Sequence, residues 1–175
     1  TGVTASVLGV GGGGPSRLGL SAGGSEEDAE RLIRTAIDHG VNFIDTAEAY
    51  RTEPVVARVL RDVRREEVVV STKISHWENL AAAGVLFNVD ERLRELQTDY
   101  LDICHLHAVL PGQYPAVVER LYPGLVRARE AGKVRLLGIT EMFNRDPGHQ
   151  MLSRAVRDGL WDVVMVGFNI LNQSA

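Results

Sequence analysis

Asp45, Tyr50, Lys73 and His107 are a carboxylate, a phenol, an amine and an imidazole, each at or just past the end of a predicted strand. Together they could deliver a proton to a carbonyl oxygen. Asp45 closes the buried run 41–44, where an acid is costly to desolvate unless a cation pairs with it. Lys73, ending the apolar run 68–72, supplies that cation. The same ammonium beside Tyr50 would stabilise the phenolate and ease proton release from a group whose ordinary pKa is ~10. His107 could then hydrogen-bond the carbonyl oxygen, positioning and polarising it.

The elements that must position these residues follow a repeating pattern. Strands are expected at 5–10, 41–45, 67–72, 101–106, 134–139 and 163–168. Between them, Ser25 can cap a helix carrying Ala29, Leu32, Ile33, Ala36 and Ile37 on one face, with Gly40 stopping it. A second helix at about 53–62 buries Val55, Val56, Val59 and Leu60, and a third at 85–96 carries Val85, Val89, Leu93 and Leu96 at helical spacing. Helix 115–131 ends at Gly132. Pro147 opens a fifth helix that buries Leu152, Ala155 and Val156. Such βα alternation implies a parallel sheet with its chemistry at the carboxyl ends of the strands. Both a doubly wound sheet and a (β/α)8 barrel satisfy it, and 175 residues fit the first better.

Composition narrows the partners. Apolar residues make up 45% and charged residues 24%, which suits one folded domain over 1–175 rather than disorder. The net charge of −4 comes without a basic cluster, so nucleic acid and anionic membrane surfaces are not expected partners, and a small molecule is. No apolar run approaches the ~20 residues of a membrane helix, and no basic-then-apolar leader opens the chain. Cys104, the single cysteine, excludes an internal disulfide and suits a reducing, cytoplasmic setting as inert core packing. Because the chain opens at Thr1, a missing N-terminal stretch is expected.

Gly9, Gly11 and Gly14 formally match a dinucleotide-binding G-x-G-x-x-G. That fingerprint requires a helix opening at the third glycine and an acid closing the next strand. Pro15, Gly19, Gly23 and Gly24 delay the helix, so the reading is a flexible strand-to-helix loop.

Several segments together resemble the aldo-keto reductase superfamily of NAD(P)H-dependent (β/α)8-barrel oxidoreductases. The segment 42–50, Asn-Phe-Ile-Asp-Thr-Ala-Glu-Ala-Tyr, is similar to the family segment bearing its catalytic Asp and Tyr. Ser71-Thr72-Lys73 resembles the segment with its Lys, and 98–107 the strand ending in its His. Segments 132–140 and 168–175 resemble later parts of the family pattern. The resemblance implies a (β/α)8 TIM barrel, here incomplete with about six strands. It also implies hydride transfer between NADP(H), or NAD(H), and a small aldehyde or ketone, with Tyr50 as proton donor and Asp45, Lys73 and His107 around it.

Cofactor contacts would come from Asp45, Thr140, Glu141 and Met165, and His76 and Trp77 would line the substrate mouth. Thr140-Glu141 stand where many members have Ser-Asn, and Met165 where they have Gln; methionine cannot reproduce glutamine's hydrogen bonds. Family loops after strands seven and eight hold most of the pyrophosphate and adenosine. The chain is therefore expected to be a C-terminally truncated fragment, with unpaired edges on its first and sixth strands and weak cofactor retention or none.

Two other readings use the same residues. His105 and His107, two apart on one strand face, could begin the metal site of a barrel hydrolase. A non-catalytic binding subunit of the same fold, as in potassium-channel β-subunits, is the third. Tyr100 reads as packing, Tyr114 and Tyr122 fall in a loop and a helix and carry no separate signal, and Arg127, Arg129 and Glu130 read as a solvated helix face.

Overall fold

A computed structural model describes residues 2–175. Six strands form one parallel sheet in the order β1-β2-β3-β4-β5-β6: β1 Gly9–Gly11, β2 Phe43–Asp45, β3 Val69–Ile74, β4 Leu101–Val109, β5 Val134–Glu141 and β6 Val163–Met165. Strand order decides the architecture. A doubly wound sheet reverses direction at a switch point, whereas here every crossover steps the same way. Right-handed crossovers then put all helices on one face and curl the sheet into part of a barrel. The doubly wound preference drawn from length gives way to an incomplete (β/α)8 barrel. β1 pairs only with β2 and β6 only with β5, so both edges are open among the described residues.

Six α-helices lie among the described residues: α1 Glu26–Asp38, α2 Glu53–Leu60, α3 Ala82–Leu96, α4 Tyr114–Arg120, α5 Tyr122–Glu130 and α6 Gln150–Asp158. Ser25 caps α1 as expected: its hydroxyl accepts from the Asp28 N–H, and the Asp28 carboxylate accepts from the Ser25 N–H. α2 buries all four predicted valine and leucine positions. The single helix expected at 115–131 is two. Pro123 falls in the first turn of α5, where it has no N–H to donate back to α4, and Leu121 forms the joint. Pro147 does not open α6. Asp146 does the capping, its carboxylate accepting from the Gln150 and Met151 N–H groups. Two expected core positions face solvent, Leu32 on α1 and Val156 on α6.

β1 also differs from its prediction. Val7 and Leu8 lie outside the sheet and are exposed, so the strand is 9–11 instead of 5–10.

The inner face of the sheet is layered along the strand direction. Phe43, Val69, Ile103, Leu136 and Val163 form an apolar layer low in the barrel. Two residues further along those strands stand Asp45, Ser71, His105, Gly138 and Met165, and two further again Lys73, His107 and Thr140. Side chains alternate with period two, so polar residues at every second position build a polar floor under the carboxyl-end rim. The outer face packs on the helices through Ile44, Val70, Ile74, Cys104, Leu106, Leu137 and Ile139.

Candidate active site

Lys73 is completely buried, and its ammonium donates to Asp45 Oδ2 at 2.6 Å and to the Thr46 carbonyl at 2.7 Å. The predicted ion pair is present. Burial lowers the Lys73 pKa, and the Asp45 charge opposes that shift. The other carboxylate oxygen of Asp45 accepts from Ser71 Oγ at 2.9 Å, and His105 Nε2 lies 3.1 Å from the same hydroxyl. Since Ser71 gives its hydrogen to Asp45, His105 Nε2 must donate to it. His105 is thereby a buried support for Asp45, with Nδ1 lacking a hydrogen-bond partner. Burial first, then the Lys73 charge, hold it down to about 3, so it stays neutral. Gly138 makes room for its ring; a β-carbon there would lie 2.2 Å from Nδ1.

Tyr50 ends the short 3₁₀ turn Glu48–Tyr50 that follows β2, and its hydroxyl lies 3.3 Å from His107 Nε2. The two rings meet edge to face, 5.5 Å between centroids. Lys73 Nζ stands 5.0 Å from the centre of the Tyr50 ring. All four predicted residues therefore gather at one place. Their electrostatics differ from the sequence expectation in one respect. Burial, and secondarily the Asp45 charge, raise the Tyr50 pKa, where a neighbouring Lys73 was expected to lower it. The reason is geometric: the ammonium faces Asp45, Thr46 and the ring, and Asp45 cancels much of its field at the phenol oxygen.

His107 is pushed down to about 4 by burial and then by the Lys73 charge, so its imidazole is neutral near pH 7. Ser75 Oγ is 2.9 Å from its Nδ1. Trp77 donates its indole N–H to the His107 carbonyl at 2.8 Å. Ala108 follows with a left-handed φ of 58° at an irregularity in the β4–β5 register, and donates its N–H to Thr140 Oγ1 at 2.7 Å. The proposed substrate-mouth residues part ways. His76 is exposed, whereas Trp77 is buried in the core and holds the backbone of His107.

The expected cofactor residues are unequal too. Thr140 accepts from Ala108 but keeps its own hydroxyl hydrogen to donate. Glu141 is fully engaged: Oε1 accepts from the Gly167 N–H at 2.7 Å, and Oε2 lies 2.8 Å from His149 Nδ1. His149 Nε2 in turn meets Ser174 Oγ at 2.8 Å. Met165 lines a cavity of about 410 Å³ with Gly11, Phe43 and Asp45, offering an apolar wall beside the half-buried acid.

Among the described residues, no three His, Cys, Asp or Glu side chains converge as a metal site requires. His105 and His107 have other partners: Ser71 for the first, Ser75 and Tyr50 for the second. No helix among the described residues is long and apolar enough to cross a membrane. Cys104 is buried, its thiol pushed up to about 12 by burial.

Sequence reading missed Ser71, Ser75 and His149. For the serines a signal existed: 71, 73 and 75 alternate on one strand, so a strand that turns Lys73 inward turns both serines inward with it.

A parallel barrel sheet whose carboxyl-end rim gathers a paired lysine, a phenol and an imidazole defines a β/α-barrel protein. Comparison with known proteins then gives the family: the aldo/keto reductase family model matches residues 8–174, and the chain belongs to that family. It is similar to L-galactose dehydrogenase of Arabidopsis thaliana, at 34% identity over 80% of this chain and 46% of that protein. It is also similar to the aldo-keto reductase YhdN of Bacillus subtilis, at 31% identity over 80% of this chain and 44% of that one. The chain spans about half the length of these curated relatives. Among solved structures, an aldo-keto reductase of Klebsiella pneumoniae in complex with NADPH aligns with a TM-score of 0.64 and 30% identity, over 82% of this chain and 49% of that one. The holo form of an aldo-keto reductase of Bacillus halodurans aligns with a TM-score of 0.74 over 98% of this chain and 55% of that one; at 22% identity it supports the fold alone.

Proposed function

We propose that this protein reduces a small aldehyde or ketone with a reduced nicotinamide cofactor, NADPH or NADH, and that Tyr50 gives the proton. The observation that carries the reading is the meeting of Tyr50 with a neutral His107 at 3.3 Å, above the ion pair of buried Lys73 with half-buried Asp45. When bound, the cofactor supplies a hydride to the carbonyl carbon. The carbonyl π bond breaks as the hydride arrives, and the electron pair moves to oxygen. His107 holds that oxygen by hydrogen bond, and Tyr50 protonates it.

A raised phenol pKa is compatible with this role. It keeps the proton on Tyr50 until an alkoxide develops, and an alkoxide is a far stronger base than a phenolate. Lys73 has a third N–H beyond the two given to Asp45 and Thr46, and it stands 5.0 Å from the centre of the Tyr50 ring. Asp45, held by Ser71 and His105, keeps the ammonium in place.

Tyr50→Phe tests the assignment of the acid. The phenyl ring keeps its packing while the proton is lost, so aldehyde reduction should fall by ~10²- to 10⁴-fold with cofactor affinity unchanged. Unaltered turnover on an aldehyde panel would refute Tyr50 as the donor.

A further inference from the structure

The Tyr50–His107 contact can be made in two ways, and they have opposite consequences for the proton. If His107 carries hydrogen on Nε2, it donates to the Tyr50 oxygen, and the phenol hydrogen is free to go elsewhere. If Nε2 is bare, the phenol donates to it, and the proton needed by a substrate is committed to the imidazole. A neutral histidine exists in one tautomer or the other, set by what its second nitrogen meets.

That second nitrogen meets Ser75. Ser75 is fastened to the turn bearing Tyr50 at two points: its N–H donates to Glu48 Oε2 at 2.8 Å, and its Oγ accepts from the Ala49 N–H at 3.3 Å. The remaining polar contact of that hydroxyl is His107 Nδ1 at 2.9 Å. With Ala49 already donating to the oxygen, the serine hydrogen has one acceptor within reach, Nδ1. The reverse arrangement, Nδ1–H donating to Oγ, would put two N–H donors on one hydroxyl oxygen and turn the serine hydrogen from its one protein acceptor toward solvent.

We propose that Ser75 is a positioning residue that fixes His107 in the tautomer protonated on Nε2, so that the phenol proton of Tyr50 is left for the substrate. The proposal rests on the reading of Tyr50 as proton donor, and its structural half can be measured without turnover. The ¹⁵N shifts of the imidazole nitrogens distinguish the two neutral tautomers directly, and His107→Gln identifies the His107 signals among the five histidines.

Wild-type protein near pH 7.5 should show His107 protonated on Nε2. Ser75→Ala should shift the ring toward a mixture of tautomers and lower kcat by ~10-fold with KM little changed, and Ser75→Thr, which keeps the hydroxyl, should restore both. A wild-type ring protonated on Nδ1, or a Ser75→Ala ring still wholly protonated on Nε2, would overturn the proposal. Should Ser75→Ala fail to fold, the wild-type spectrum alone decides. Failure of the broader reading looks different: Tyr50→Phe would retain turnover while the tautomer measured for His107 stood unchanged.

Discussion

Gly13 lies against the ring of Tyr50 so closely that a β-carbon on it would stand 2.6 Å from Cζ, the carbon that bears the hydroxyl. The backbone of Gly13 is outside the left-handed region, so alanine would meet only a limit of space, and the Tyr50 ring would have to shift to admit it. The glycine run that resembles a dinucleotide motif thus has a different use: it lets the β1 loop close over the phenol. Arg17 reinforces that closure by donating to the Tyr50 carbonyl at 2.7 Å.

Gly13→Ala should therefore displace the phenol rather than unfold the protein, because the obstructing atoms belong to the far end of a side chain. Displacements near 1 Å cost catalysis ~10²-fold. The expected result is a fall in kcat of that order with little change in melting temperature. Steady-state kinetics beside a thermal melt would check it, and wild-type turnover would mean that the ring yields without consequence.

Much of this arrangement can be read in the sequence, because strand period and strand ends fix which residues share a rim. Asp45, Lys73 and His107 follow from that rule, and Tyr50 from the family-like segment it closes. What resists reading is direction within the rim. Nothing in the residue order says that the Lys73 ammonium turns to Asp45 and Thr46 instead of the phenol oxygen, or that Trp77 turns inward to the His107 carbonyl. Glu141 is the sharpest case: its pairing with His149 crosses a turn in which His149 itself has a left-handed φ of 53°, a conformation that local propensity disfavours. The helix break at Leu121 was legible in principle, since Pro123 cannot continue hydrogen bonding to α4.

One buried and one half-buried imidazole should make the fold acid-sensitive. His105 and His107 titrate at about 3 and about 4 in the folded chain, against the ordinary value of 6.5. Their neutral forms are favoured by folding, so the native state binds fewer protons than the unfolded one below pH 6.5. Stability is then complete above that pH and falls as the pH drops from 6.5 toward 4, with His105 extending the loss toward 3. Urea denaturation across this range should show it. His107→Gln should flatten part of the slope, and an identical slope in the variant would assign the effect elsewhere.

Glu53 should act with the opposite sign. It is buried between α2 and the sheet, accepts from Thr72 Oγ1 at 2.6 Å and faces Arg92 at 3.3 Å. Burial outweighs both contacts and raises its pKa from 4.5 to about 7. Folding favours the protonated acid, so this contribution is complete below pH 4.5 and is lost as the pH rises through 7. Glu53→Gln keeps the shape and cannot ionise. It should remove that decline, so that the difference in stability between variant and wild type grows between pH 5 and pH 8 in the variant's favour. A difference independent of pH would show that Glu53 does not titrate in this window.

Glu141 and His149 close the site from the β5 side, and the question is whether Glu141 serves the cofactor or the fold. Its side chain is 2% exposed, and that of His149 is 8% exposed. Phe143 stacks on the imidazole at 5.8 Å, and Gly167 donates to the carboxylate, so the pair ties the end of β5 to α6 and to the segment after β6. Removing a hydrogen-bond partner from a buried carboxylate costs ~1–3 kcal/mol. His149→Ala should show a loss near the lower end of that range in urea denaturation, because Gly167 still satisfies one carboxylate oxygen. Glu141→Gln retains an acceptor for Gly167 and should lose less. If Glu141 serves the fold alone, nicotinamide affinity measured by fluorescence quenching should stay within ~2-fold in Glu141→Gln, less than the ~1.4 kcal/mol that a tenfold change represents. A tenfold loss of affinity in a variant of near-native stability would instead put the carboxylate in contact with the carboxamide.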